Sequence, residues 1–372
     1  MLLFNSLLLR KKPTTPVEGV PLTLTFVDDG TSNDFNIGFT IQGEPDTSGL
    51  QYRYGTEGPW TEVNIWKALT LNKTTPVIQF QNTNNFLSTD SSNYIRLSFS
   101  QYTSVKVSGS MRSMVNWQKE IPPYSFYNFF RNTGIITAPL MDFEKVGDHG
   151  CYEMFIRCYK LLMPPDLPAM ELEMYAYHSM FKNCEGLLST MRLPATTLAQ
   201  SCYSCMFEEC TSLITAYPLP AKVVPYYAYS SMFKNCEALE AAPHIAATEI
   251  NYESLAEMFW GCSNLRYISV ELTNWGNSGG TTNDWVRYVA ENGTFECPPE
   301  LPEKRGTYYI PLNWKRIDYV DPDAPPTINV EYYYNKAVEN AEEVQTNKSL
   351  VTLANLMLNE IIEGEKWQKK KC

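Results

Sequence analysis

The chain has 372 residues, of which 44% are hydrophobic, 13% aromatic and 19% charged. It is therefore long enough for two or three modules, and too apolar for a disordered polymer. Its formal net charge of -11 disfavours a nucleic-acid partner, because phosphate backbones attract basic proteins. No stretch of the sequence reaches the roughly 20 apolar residues that a membrane-spanning helix needs.

Residues 1–18 are predicted to be an arm that anchors the chain to another protein. The apolar run of this arm comes before the basic residues Arg10, Lys11 and Lys12. A secretory signal peptide has the opposite order, so we expect a mature N-terminus. The candidate anchoring residues are Leu2, Leu3, Phe4, Leu7, Leu8 and Leu9.

Residues 19–116 are predicted to form an antiparallel β-sandwich of the immunoglobulin-like type. Apolar and polar residues alternate in segments such as Leu22–Phe26, Phe35–Ile41 and Ile95–Phe99. Clusters of turn-forming residues separate these segments at short intervals. Alternation of this kind, with frequent turns, is typical of small all-β domains.

Residues 117–270 contain an internal repeat with a period of about 26 residues. Each clear copy has Met, Phe and Cys at relative positions i, i+1 and i+4. A degenerate copy with Phe130 and Thr133 in the Phe and Cys positions precedes the five clear ones, which gives six copies. The predicted core residues of the repeat are Met154, Phe155, Cys158, Met180, Phe181, Cys184, Met206, Phe207, Cys210, Met232, Phe233, Cys236, Met258, Phe259 and Cys262.

The spacing within a copy predicts one short helix. Tyr203, Met206, Phe207 and Cys210 lie at i, i+3, i+4 and i+7, which are positions on one face of a helix. A Leu-Pro-Ala segment follows in several copies and must be extended or turning, because proline ends a helix. One helix and one extended segment per copy predict a leucine-rich-repeat-type α/β solenoid, in which stacking buries the apolar faces.

Cysteine and histidine are the residue types that most often indicate chemistry. The five repeat cysteines follow the spacing of Met and Phe, so we expect buried free thiols rather than disulfides or metal ligands. The histidines His149, His178 and His244 fall at different repeat positions, and the sequence shows no acid–base pair and no phosphate-binding loop. We therefore expect no enzyme activity, no cofactor and no metal.

The repeat pattern fades after residue 270, and residues 271–322 are predicted to cap the last copy. Prolines then mark a linker at the start of residues 323–372, and an amphipathic helix is predicted from about 331 to 368. One apolar stripe runs along this helix, formed by Leu350, Leu353, Met357 and Ile361. The predicted fold class is thus a β-sandwich followed by an α/β solenoid, a cap and a terminal helix.

The repeat units resemble the BspA-like leucine-rich repeats of surface proteins from gut anaerobes and of virion proteins from their tailed bacteriophages. The resemblance is carried by Leu193-Pro-Ala-Thr-Thr-Leu198 and by Cys202-Tyr-Ser-Cys-Met-Phe-Glu-Glu-Cys-Thr-Ser-Leu213, and it covers roughly residues 120–270. It implies a role in display or adhesion rather than a reaction.

The termini favour a virion protein, because a cell-surface protein needs an export signal or a lipoprotein cysteine, and neither is present. We expect a homo-oligomeric bacteriophage virion fibre or decoration subunit, bound to other virion proteins and attached to a host protein or glycan. The alternative is a bacterial cell-surface or secreted leucine-rich-repeat adhesin.

The residues after each repeat leucine vary between copies, whereas the core residues do not. In a stack of copies the variable residues would form a continuous exposed strip. Repeat proteins usually bind their partners on such a surface. Simple solvation of these side chains is an equal alternative. The candidate ligand-binding residues are Asp166, Met191, Arg192, Tyr217, His244 and Tyr267.

Overall fold

The computed structural model describes residues 19–28, 30, 34–276 and 280–318. This part of the chain contains sixteen β-strands and one 3₁₀-helix. No helix within it is long and apolar enough to cross a membrane. The predicted anchoring arm and the predicted helix over 331–368 lie outside the described residues.

Two antiparallel sheets form the first part of the described chain. Their strands are β1 (Leu22–Phe26), β2 (Asp34–Gln42), β3 (Leu50–Tyr54), β4 (Thr61–Glu62), β5 (Leu69–Asn72), β6 (Val77–Asn82), β7 (Tyr94–Ser98) and β8 (Val105–Ser108). One sheet has the order β4-β3-β6-β1-β8 and the other the order β5-β2-β7. Apolar side chains alternate along the strands, so each sheet buries one face. Between the sheets, the ring of Phe39 packs edge-on against that of Phe80, with 5.6 Å between their centres.

Strand β8 joins these sheets to the repeat. Val105 and Ser110 form parallel bridges with Ile135 and Leu140 of the first copy. The 3₁₀-helix, Met111–Val115, follows at once and is capped by Ser110, whose Oγ accepts from the Arg112 N–H at 3.1 Å.

Each repeat copy is built from consecutive four-residue turns. His149, Glu153 and Arg157 have positive φ angles of 54°, 52° and 60°, and the other copies repeat this spacing. The backbone N–H groups alternate along these turns. One donates to a carbonyl of its own copy, and another donates to a carbonyl of the next copy. The N–H of Cys158 donates to the Phe155 carbonyl at 3.1 Å, whereas the N–H of Phe155 donates to the Met180 carbonyl at 2.9 Å. The turns of successive copies are therefore held in register.

The predicted α/β solenoid fold class is wrong. No described residue lies in an α-helix, and the extended segments of the repeat form only small, separate parallel sheets. These are β9 (Glu120–Ile121), β10 (Lys145–Val146) and β11 (Glu171–Leu172); β12 (Val223–Val224) and β13 (Glu249–Ile250); and β14 (Tyr267–Ser269), β15 (Thr294–Cys297) and β16 (Lys315–Asp318). The spacing i, i+3, i+4, i+7 also describes the inward positions of consecutive four-residue turns, so it does not distinguish them from a helix. The domain boundaries stay predictions.

The core of the repeat is a ladder of phenylalanine rings. Phe155, Phe181, Phe207 and Phe233 stack face to face at centre distances of 5.3 to 5.7 Å, and none is more than 1% exposed. Every predicted Met, Phe and Cys of the repeat core is buried to the same degree. The ladder continues to Phe259 and ends against Trp285.

Candidate functional site

Three residues of the predicted ligand-binding strip, Asp166, Arg192 and Tyr217, are exposed. Arg192 and Tyr217 come from neighbouring copies, and the guanidinium lies 5.8 Å from the centre of the tyrosine ring. The N–H of Tyr217 donates to Thr190 Oγ1 at 2.9 Å, which fixes the backbone beneath the ring. Recognition through these three residues stays a prediction.

The strip is not continuous, which corrects the prediction at two of its positions. Met191 and Tyr267 are each only 4% exposed. Met191 belongs to the hydrophobic core, and the hydroxyl of Tyr267 donates to the buried carboxylate of Glu296. Copy-to-copy variation therefore does not identify exposed residues, since buried positions vary as well.

His244, the sixth candidate, lies in a hydrogen-bonded network that the sequence did not indicate. Its Nδ1 lies 3.0 Å from Ser269 Oγ and its Nε2 lies 3.2 Å from Glu271 Oε1. Lys222 pairs with the same carboxylate. Burial alone would raise the pKa of Glu271, but hydrogen bonds from Lys222 and His244 outweigh it and hold the pKa below its ordinary value.

Serine, histidine and glutamate are also the residue types of a hydrolase triad. Ser269 is only 1% exposed, however, so a substrate carbonyl cannot reach its hydroxyl. The network instead ties neighbouring copies together, because His244 lies 25 residues before Ser269 and 27 residues before Glu271 in the sequence. Only the stacking of copies brings these side chains close together, so no local sequence motif indicates the network.

The repeat cysteines are structural. Each Sγ donates to a phenylalanine carbonyl of the preceding copy, as Cys184 does to Phe155 at 3.1 Å and Cys210 to Phe181 at 3.2 Å. Burial raises the pKa of Cys262 to about 12, so its reactive thiolate form is scarce at neutral pH. The nine cysteines of the described ranges are unpaired, and no group of three or more potential metal ligands occurs there.

The most distinctive surface feature is a set of six aromatic rings, here called the ring array. It has two rows of three, and each row occupies one repeat position in three successive copies. The first row is Tyr124, His149 and Tyr175, and the second is Tyr127, Tyr152 and His178. All six side chains are half-buried. The recurrence of Tyr or His once per copy is visible in the sequence and could have identified this array.

The rings stack closely within each row. In the first row the ring centres are 4.7 Å apart from Tyr124 to His149 and 4.5 Å apart from His149 to Tyr175. In the second row they are 5.0 Å apart from Tyr127 to Tyr152 and 4.7 Å apart at the next step. The middle ring of each row, His149 or Tyr152, therefore has a stacked neighbour on either side.

The second row of the array, Tyr127, Tyr152 and His178, is uncharged at neutral pH, because burial raises the pKa of both tyrosines and lowers that of the histidine. Burial raises the pKa of Tyr152 to about 12, with a smaller contribution from Glu153. Burial, with help from His149 and Lys182, lowers the pKa of His178 from 6.5 to about 4. His149 Nδ1 lies 2.9 Å from Asp148 Oδ1, which orients that imidazole. The second row therefore offers neutral polar groups on an aromatic surface.

Comparisons with known proteins give no match. No protein-family model matches the sequence, and neither a curated protein nor a solved structure matches the chain.

Proposed function

We propose that the protein is a non-enzymatic structural and adhesion protein that recognises its partner through the ring array. We further propose that it is a bacteriophage virion fibre or decoration subunit, located in the virion. The observation that carries the recognition role is the double row of stacked rings on a repeat frame. The resemblance of the repeat to BspA-like sequences supports the virion role.

A rigid aromatic surface suits recognition because binding then costs little side-chain entropy. Tyrosine gives a large contact area with only two rotatable side-chain bonds, and it carries a hydroxyl for hydrogen bonding. In the ring array each ring is held by its stacked neighbours, and the backbone beneath is held by the next copy. The N–H of His149, for example, donates to the Met174 carbonyl at 3.0 Å. The surface is therefore organised before a partner arrives.

The chemistry of the array fits a neutral, hydroxyl-rich partner such as a glycan. Neutral tyrosine hydroxyls both donate and accept, as sugar hydroxyls do. The carboxylates beside the array are already engaged, since Glu153 pairs with Arg131 and Glu173 pairs with Lys145 at 2.8 Å. A strongly charged partner would find little unpaired charge there.

Composition of purified particles tests the virion assignment. Mass spectrometry should find the chain together with capsid or tail proteins after density-gradient purification of the particles. Immunogold labelling should then mark the particle surface. Recovery in the bacterial envelope fraction, with none in purified particles, would replace the virion fibre by a cell-surface adhesin.

Recognition by the ring array can be tested with substitutions that the repeat already uses. Tyr175→Ser with His178→Ser removes the last two rings, and Ser201 and Ser204 occupy the same positions in the next copy. The matched control is Tyr226→Gln, because Gln200 occupies that position one copy earlier. The labelled full chain is applied to an array of bacterial surface glycans. The double variant should bind at least about tenfold more weakly, equivalent to about 1.4 kcal/mol, while the control binds normally. Equal binding by both would refute recognition through these rings.

A further inference from the structure

The last parallel sheet of the described residues has an open edge. The N–H of Lys315 in β16 donates to the Gly293 carbonyl beside β15 at 2.8 Å. Backbone groups alternate along a strand, so those of Ile317 also point towards β15, and those of Arg316 and Asp318 point away from it. Within the described ranges no strand pairs with that outer edge. An unpaired edge is a template for another strand.

The side chains along this edge complement themselves in one register. Arg316 Nε donates to Asp318 Oδ1 at 2.6 Å, so both side chains lie on the same face of the sheet. Consider a second β16 that runs antiparallel, with Ile317 opposite its own copy. Arg316 of each chain then lies opposite Asp318 of the other. The backbone groups of these two residues point away from β15, so they exchange hydrogen bonds with the second copy. Ile317, which is 38% exposed, meets its counterpart on the opposite face of the sheet from the two charged pairs.

We propose that the protein forms a two-fold dimer by antiparallel pairing of β16 with β16 of a second copy. A two-fold interface requires one surface that complements itself. The sequence Arg316-Ile317-Asp318 meets this requirement, because the opposite charges are two residues apart and centred on an apolar residue.

The mass of the full chain in solution tests the proposal. Sedimentation equilibrium at low salt should show a monomer–dimer equilibrium that shifts towards twice the monomer mass as concentration rises. Asp318→Arg places arginine opposite arginine at both ends of the pairing. Its dissociation constant should rise at least about tenfold, because facing like charges are destabilising. The control is Glu62→Arg, the same charge change on the exposed strand β4.

Mixing two variants identifies the register. Arg316→Asp and Asp318→Arg should each self-associate at least about tenfold more weakly than the wild type, whereas an equimolar mixture should form a heterodimer with both charge pairs restored. Arg316 also donates to the carbonyls of Leu301, Pro298 and Pro299, so its variant is first checked by thermal melting. If the Arg316→Asp variant unfolds, the dissociation constant of the Asp318→Arg variant decides whether β16 forms the interface.

Two results would overturn the proposal. The first is a wild-type chain that stays monomeric at every concentration, as expected if another part of the chain covers the edge. The second is an Asp318→Arg variant that dimerises as tightly as the Glu62→Arg control, which would place the interface on another surface.

Discussion

Acid should weaken the fold through His178. The pKa of this imidazole is lowered from 6.5 to about 4 in the folded chain, chiefly by burial against the stacked ring of Tyr152. Protons therefore bind the unfolded chain more tightly than the folded one. The stability is fully present above pH 6.5, falls as the pH drops below that value, and levels off below about pH 4. The two pKa values correspond to a loss of about 2 kcal/mol at pH 5 and about 3 kcal/mol at pH 4.

Urea denaturation between pH 7 and pH 4, followed by tryptophan fluorescence, measures this loss. Carboxylates titrate in the same range, so the wild type is compared with His178→Tyr, which copies Tyr127 and Tyr152 at the same repeat position. Both proteins share the carboxylates. The difference between their unfolding free energies should therefore change by about 3 kcal/mol over this range in favour of the variant. Parallel loss of stability in both proteins would show that the imidazole is hydrated, and would refute the burial argument.

Two further tests concern the repeat core, and one concerns the N-terminal residues. Phe207→Ala should lower the unfolding free energy by about 3–5 kcal/mol in urea denaturation, because rigid neighbours above and below the ring prevent collapse of the cavity; a change as small as that of the exposed control Tyr288→Ala would contradict the ladder. Deletion of residues 1–12 should abolish incorporation into particles and leave the melting temperature unchanged; normal incorporation would place the anchor elsewhere. Iodoacetamide should leave the repeat cysteines of the native protein largely unmodified in mass spectra, and rapid labelling of all five would show that they are accessible. These are Cys158, Cys184, Cys210, Cys236 and Cys262.

The sequence predicts which residues of the repeat are buried, but not the backbone that buries them. The positions of Phe181 and Cys184 carry Phe and Cys in every clear copy, because each copy must present the same inner shape to its neighbours. A helix and a run of four-residue turns place nearly the same residues inward over eight positions. Periodicity in so short a segment therefore favours the wrong backbone.

One sequence feature does distinguish the turns from a helix. The residue before each cysteine or its equivalent is Asn132, Asn183 and Asn235 in three copies and Gly261 in a fourth, and all four have positive φ. Asn and Gly are the residues that most readily adopt this conformation. Their recurrence within the predicted helix argues against it.

The candidate sites were predictable to different degrees. Ring positions such as His149 and Tyr175 follow the repeat period, so the array could have been found by aligning the copies. The burial of Met191 and Tyr267 could not, because it depends on side chains from neighbouring copies. The contact between His244 and Glu271 depends on stacking in the same way.

The repeat copies stack through backbone hydrogen bonds in a fixed register, as in the bond from the Phe155 N–H to the Met180 carbonyl. Deletion of residues 198–223 removes one full copy, and should let Phe181 stack directly on Phe233. Thermal melting should then remain cooperative, with only a modest decrease in the melting temperature. A deletion of half this length, residues 198–210, breaks the register and should abolish the cooperative transition. If the full-copy deletion is as damaging as the half-copy deletion, the copies do not stack in this register.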